Sequence, residues 1–143
     1  MCPDCETLLY MAARAQLVQE TIIPALKKGA VVVCDRFLDS TIAYQGYGLG
    51  INLQAIKSIG YFATSGLKPD LTIFLDLPVA KGLLHRSDSK DRIEERSLKY
   101  HLAVRKGYLK IAKQDPRRFK IIKVDNHKLK TQEEIRKLIE NVI

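Results

Sequence analysis

Residues 35–45 hold the densest set of groups able to do chemistry: Asp35, Arg36, Asp39, Ser40, Thr41, Tyr44 and Gln45 all fall within eleven positions. An apolar run that ends in Asp can set a carboxylate beside magnesium. The neighbouring Arg36 brings a planar fork of donors that suits a phosphate group held by two hydrogen bonds. Thr41, Tyr44 and Gln45 add hydrogen-bonding groups around an aromatic body, a mixture suited to a nucleoside. Spacing alone leaves another reading open, in which Asp35 caps a helix and Arg36 pairs with it.

Other polar clusters are poorer. Gly46, Gly48 and Gly50 follow a polar segment instead of a strand, so they read as a flexible loop and not a phosphate cradle. His85, His101 and His127 are scattered without metal-ligand spacing, and Ser40 has no His and Asp partners in view. Cys2 and Cys5 form a Cys-x-x-Cys without a second pair, which reads as incidental, and Cys34 in Val-Val-Val-Cys reads as a reduced core residue.

Positioning these groups falls to alternating helices and strands. Leu9, Ala13, Leu17 and Ile22 recur at helical spacing across 6–28, with a kink expected at Pro24 and a stop at Gly29. Residues 31–37 are β-branched and predict a buried strand; residues 53–64 predict a helix, followed by the turn Ser65-Gly66. A second strand is expected at 71–77, then a short helix from Pro78 to about Arg86 and a polar loop over 87–90. Ile93, Tyr100, Val104, Tyr108 and Ile111 share one face of a long helix that Asp115-Pro116 breaks. A third strand follows at 119–125, and Thr131 with Glu134 suggests a capping box opening the last helix. Strands separated by helices imply a doubly wound α/β fold, a parallel sheet covered on both faces, within one domain spanning 1–143. Ligands of such folds gather at the carboxyl ends of the strands, where Asp35, Asp76 and Asp125 stand.

Composition narrows the class further. With 143 residues, 46% hydrophobic and 28% charged, the chain reads as a globular domain able to bury a core without disulfides or metal. No apolar stretch approaches a membrane span, no leader pattern is evident, and a cytoplasmic location is the expectation. The net charge of +8 is uneven: residues 1–76 hold 6 Lys/Arg against 7 Asp/Glu, and residues 77–143 hold 18 against 9. A basic half suits a polyanionic ligand, either a nucleotide or a nucleic acid, or simply a solvated helix face. No nucleic-acid-binding motif accompanies it, so nucleic acid is the weaker of the two ligand readings.

The run DRFLDSTIAYQGYG closely resembles the thymidylate kinase signature, in which Asp-Arg-aromatic is followed by Ser and then Ala-Tyr-Gln. LLYMAARAQL upstream is similar to the same family, as are PDLTIFLDL, GLLHR and DRIEERS downstream. The resemblance runs from about Glu6 to the C-terminus and thins after Asp125. It implies a P-loop-kinase-like parallel sheet in three layers and ATP-dependent phosphorylation of dTMP with Mg2+. By resemblance, Tyr10 would stack on thymine, and Arg14 would reach the base or the acceptor phosphate. Arg36 would bind the dTMP phosphate, with Asp35 acting through magnesium or its water. Thr41 and Gln45 would read the thymine edge, and Tyr44 would pack near the deoxyribose. Arg86, Lys90 and Arg92 are the lid candidates for the transferred phosphate, Arg86 and Arg92 being the catalytic ones. The loop beside them is short, with only Lys90 within it, whereas family members that place catalytic Arg residues in the lid often have a longer, more Arg-rich loop. A homodimer is also implied.

Members of that family begin with a strand and a loop of the form Gly-x-x-x-x-Gly-Lys-[Ser/Thr], which cradles the ATP phosphates. That pattern does not occur in these 143 residues. The expectation is therefore an N-terminally truncated chain without the loop, its helix and the first two strands, impaired in turnover, or a fragment that binds dTMP only.

Overall fold

The computed structural model describes residues 1–84, 93, 95–125 and 127–143. These residues form two compact units, Met1–Lys68 and Pro69–Ile143.

The first unit opens with helix α1, Pro3–Leu17. Pro3 costs nothing there, because the first N–H groups of a helix lack intrahelical acceptors anyway, and Asp4 and Glu6 complement the positive end of the helix dipole. Met11, Val18 and Ile22 are buried along one face. The helix passes through a π-helical segment, Val18–Ile22, into α2, Ile23–Lys27. This is the irregularity expected near Pro24. Pro24 cannot donate to the preceding turn, and the wider ring, closed by the Ile23 N–H on the Val18 carbonyl, absorbs the missing bond. The chain stops at Gly29, whose φ of 75° lies in the left-handed region.

The buried strand expected over 31–37 does not form. Among the described residues no strand pairs with this segment, Val33 is 91% exposed, and Cys34 is an exposed thiol instead of a core residue. A β-branched run becomes a strand only where a neighbour accepts its N–H and C=O groups; without one, propensity leaves it merely extended. Helix α3, Leu38–Thr41, then leads straight into a second π-helical segment, Ile42–Gly48. Here too the outcome corrects the sequence reading, since Gly46 and Gly48 belong to this helical turn and Gly46 is buried. After Gly50, Asn52 caps helix α4, Leu53–Ala63, by accepting from Gln54 N at 2.9 Å and Ala55 N at 3.0 Å. Gly60 of α4 is where Leu38 comes closest: a Cβ at that position would stand 2.4 Å from a Leu38 methyl. The glycine thus lets the start of α3 lie against α4.

The second unit is α/β. Strands β1, Thr72–Asp76, and β2, Phe119–Lys123, pair in parallel, from Thr72 opposite Phe119 to Asp76 opposite Lys123. A parallel pair needs a long crossover, and here it includes α5, Val79–Leu84, and α6, Leu98–Gln114. Ser97 caps α6 by accepting from Tyr100 N, and Tyr100, Val104, Gly107, Ile111 and Ala112 form its buried face. Phe74 of β1 stacks on Tyr108 of α6 with centroids 4.6 Å apart. Arg118 donates to Asp115 and to Thr72, both at 2.8 Å, and so ties the end of the crossover to the start of β1. At the other end of β1, Arg105 of α6 grips Asp76 with two bonds of 2.6 and 2.7 Å. The Asp76 bond raises the Arg105 pKa above its ordinary value. Helix α7 runs from Lys128 to Glu140 with His127 at its N-cap, so the expected Thr131–Glu134 capping box is absent. The Thr131 hydroxyl instead accepts from Asp125 N, while Asp125 caps the turn by accepting from His127 N at 2.8 Å.

Candidate active site

The residues singled out around position 36 meet within the first unit. Arg36 has φ of 70°, one of two non-glycine residues in the left-handed region among the described residues. A side chain there is sterically disfavoured, and such outliers concentrate at ligand sites. The twist carries the Arg36 guanidinium over the Tyr44 ring, 4.9 Å from its centroid, while leaving the residue exposed. Asp35 beside it is likewise exposed.

Arg14 approaches the same segment from α1. It donates to the Phe37 carbonyl at 3.2 Å, contacts the Met11 sulfur at 3.3 Å and lies 5.5 Å from the Phe37 ring centroid. Burial pushes its guanidinium below the ordinary value, with the negative field of Asp39, then that of Cys34, opposing the change. A guanidinium keeps its charge through such a shift, so Arg14 is a fixed cation held by its neighbours.

Tyr10 stands one turn before Arg14 and is 41% exposed, a ring available for stacking. Thr41 and Gln45 are buried. The Gln45 Nε2 donates to Glu6 Oε1 at 2.9 Å, and both residues are only 2% exposed. Glu6 was not singled out from the sequence, and Asp39 was named in the 35–45 cluster without a role. The signal for Glu6 was present: Glu6, Tyr10 and Arg14 recur at intervals of four, which puts all three along one stripe of α1. Asp39 had no such periodic mark.

Tyr44 and Gln45 both belong to the π-helical turn and face different partners, Arg36 and Glu6. Widening of the turn shifts the register of side chains relative to α3, and π-turns recur where side chains must be re-aimed at functional sites. Leu53 and Ile56 of α4 lie against Gly46 of that turn.

Arg86, Lys90 and Arg92, with the loop over 87–90, lie outside the described residues. No group of three or more metal-ligating side chains occurs among the described residues, and no described helix is long and apolar enough to cross a membrane. One carboxylate, Asp35, still fits magnesium in the way usual beside phosphates, where water and phosphate oxygens supply most ligands.

The first unit thus offers two guanidinium groups, an exposed tyrosine ring and buried polar groups, from α1 and from the segment 36–45. An α/β protein with such a site is equipped for a phosphorylated ligand that bears a flat ring. The chain belongs to the thymidylate kinase family, whose sequence profile it matches over residues 1–135. It is 50% identical over 122 residues to the thymidylate kinase of Kosmotoga olearia, covering 84% of this chain and 59% of that protein. It is also 44% identical over 139 residues to that of Symbiobacterium thermophilum, covering 96% and 65%. The chain therefore spans about three-fifths of the length of its relatives. Its fold is similar to the crystal structure of thymidylate kinase from Ehrlichia chaffeensis, with a TM-score of 0.80 and 28% identity, over 98% of this chain and 66% of that one. That likeness gives the α/β architecture its class, the fold of P-loop kinases with a parallel sheet.

Proposed function

We propose that the chain carries the dTMP site of an ATP-dependent thymidylate kinase, which passes the γ-phosphoryl group of ATP in line to the dTMP phosphate. The observation that carries this reading is Arg36, held in a left-handed backbone with its guanidinium over Tyr44. Backbone strain of this kind concentrates at ligand sites, and a fork of donors suits a phosphate. Arg36 would bind the acceptor phosphate and Arg14 would supply charge from α1. Tyr10 would stack on thymine, Thr41 and Gln45 would read its edge, and Tyr44 would flank the deoxyribose. Asp35 would hold Mg2+ through water, and the ion would neutralise charge developing on the phosphate oxygens. Arg86, Lys90 and Arg92 would supply further cations, and assembly as a homodimer belongs to the same reading.

A second reading has its own support. Within these 143 residues no segment has the form Gly-x-x-x-x-Gly-Lys-[Ser/Thr], the pattern whose backbone N–H groups and lysine cradle the β- and γ-phosphates. Loss of even one transition-state donor costs about 10²–10³ in rate. Assayed by itself, this chain would bind dTMP with little turnover.

Thermal melts with dTMP and dCMP, paired with an ATP-coupled turnover assay, test both. At about 100 times its dissociation constant a ligand adds roughly 2.7 kcal/mol to the folded state. An upward shift with dTMP and none with dCMP supports the site; turnover decides between kinase and binder. A cooperative melt indifferent to both nucleotides refutes the site.

A further inference from the structure

The geometry points to Glu6 as a positioning residue that sets thymine-over-cytosine preference by fixing the direction of the Gln45 amide. This rests on the dTMP reading above and deepens it. A carboxylate can only accept, so the bond from Gln45 Nε2 to Glu6 Oε1 commits the amide nitrogen to α1 and turns the carbonyl oxygen away from it. Among the described residues the Gln45 Oε1 accepts no hydrogen bond, and it is not sealed from solvent. It is therefore left as an acceptor aimed elsewhere.

The polarity of that acceptor matters for a pyrimidine. Thymine presents N3–H, a donor, between two carbonyl oxygens. Cytosine presents N3 as an acceptor beside an amino group. A fixed Oε1 takes the thymine N3–H and meets a lone pair on cytosine N3. A free glutamine could rotate its amide and serve either base, so Gln45 alone does not discriminate. Burial of both partners, each 2% exposed, strengthens the bias, because in the flipped state the amide oxygen would face the Glu6 carboxylate, two acceptors without a donor between them.

The place of Glu6 fits this role. It lies in the first turn of α1, one turn before Tyr10 and two before Arg14, so a single helix presents the stacking ring, the cation and the group that orients the edge reader. Gln45 sits in the π-helical turn, where the Ile51 N–H bonds its own backbone carbonyl at 3.2 Å. Its backbone is thus held independently of Glu6, and what Glu6 adds is the orientation of the side chain.

The test compares dTMP and dCMP dissociation constants by calorimetry for the 143-residue chain, for Glu6→Gln, and for the exchanged pair Glu6→Gln with Gln45→Glu. Glu6→Gln keeps the volume but lets the pair bond in either sense. The preference for dTMP is expected to fall by about tenfold or more, the value of one hydrogen bond to a charged group. The exchanged pair restores an acceptor-only group at position 45 and is expected to recover the preference, whatever its absolute affinity. Melts of each variant separate folding from selectivity. The NMR signals of the Gln45 side-chain amide, in chain without nucleotide, report the Glu6 bond directly and are expected to move in Glu6→Gln. If the starting chain prefers dTMP and Glu6→Gln keeps that preference, the role assigned to Glu6 is wrong while the dTMP site stands. If the starting chain binds neither nucleotide, the dTMP reading fails and the specificity role falls with it.

Discussion

Replacing Arg36 separates two properties that the site combines in one residue. Alanine and glycine both remove the guanidinium, but only glycine accepts a φ of 70° without steric cost. A left-handed backbone costs an L-residue roughly 1–2 kcal/mol, and the looser unfolded state of glycine gives back about 0.4–1 kcal/mol. Arg36→Gly should therefore be more stable than Arg36→Ala by about 0.5–1 kcal/mol, or about 1–4 °C in Tm for a chain of this length. Binding should respond differently. One charge-assisted bond to phosphate is worth about 1.5–3 kcal/mol, and the exposure of Arg36 favours the lower end. Both variants should then lose dTMP affinity by about ten- to thirtyfold, and equally. Arg36→Lys should fall between, since it keeps the charge and loses the fork. Melting curves and calorimetry on the same preparations supply both numbers. Equal stability of the alanine and glycine variants would refute the left-handed backbone, and undiminished affinity would refute the phosphate contact.

Arg105→Leu should destabilise the chain by about 1–3 kcal/mol in urea titrations, because it strands the buried Asp76 carboxylate; Arg105 is itself 37% exposed, which holds the figure below that of a fully buried pair. Adding Asp76→Leu should recover most of that loss. Gly60→Ala gains about 1 kcal/mol of helix propensity but drives a methyl into Leu38, an overpacking cost of about 1–3 kcal/mol. A net loss that Leu38→Ala reverses is the expected pattern. Arg14→Lys should weaken dTMP binding by about tenfold even though charge is kept, as the ammonium cannot reproduce the planar contacts to Phe37 and Met11 in a desolvated site; unchanged calorimetric affinity would contradict that role.

Periodicity located the helices and strands that organise themselves from nearby residues. α4 falls where its apolar spacing put it, and β1 and β2 where β-branched runs end in polar turns. α6 ends at Asp115 as expected but begins only at Leu98, where Ser97 caps it, so Ile93 lies in a turn before the helix and not on its face. Residues 31–37 show the limit of that logic: Val31, Val32 and Val33 carry strand propensity, but pairing depends on a neighbour that the segment does not specify. The Thr131–Glu134 spacing failed for a related reason. Asp125 and Thr131 found each other first, so the helix starts three residues before Thr131. The π-turns escaped detection altogether, because a turn with one extra residue leaves no mark in composition. For the site, Arg14, Arg36 and Tyr44 were legible as types in a signature. The pairing of Gln45 with Glu6 was not, because it joins positions 39 residues apart.

The residues proposed for the acceptor nucleotide all come from one unit, and within it from a stripe of α1 and from the continuous segment 36–45 that runs through α3 into the π-helical turn. Their arrangement is set by backbone exceptions, not by the regular elements. A left-handed Arg36 aims the guanidinium, a π-turn carries Tyr44 and Gln45, and Gly60 admits Leu38 against α4. Exceptions of this kind cost stability, so each persists only if packing around it overdetermines the conformation. That reasoning ties recognition of the nucleotide to the integrity of residues 1–68 alone. Substitutions that loosen α4 or the turn before it should therefore degrade dTMP binding without touching a ligand-facing group. Changes confined to the Asp76–Arg105 pair should alter stability and leave the dTMP-to-dCMP preference where it was.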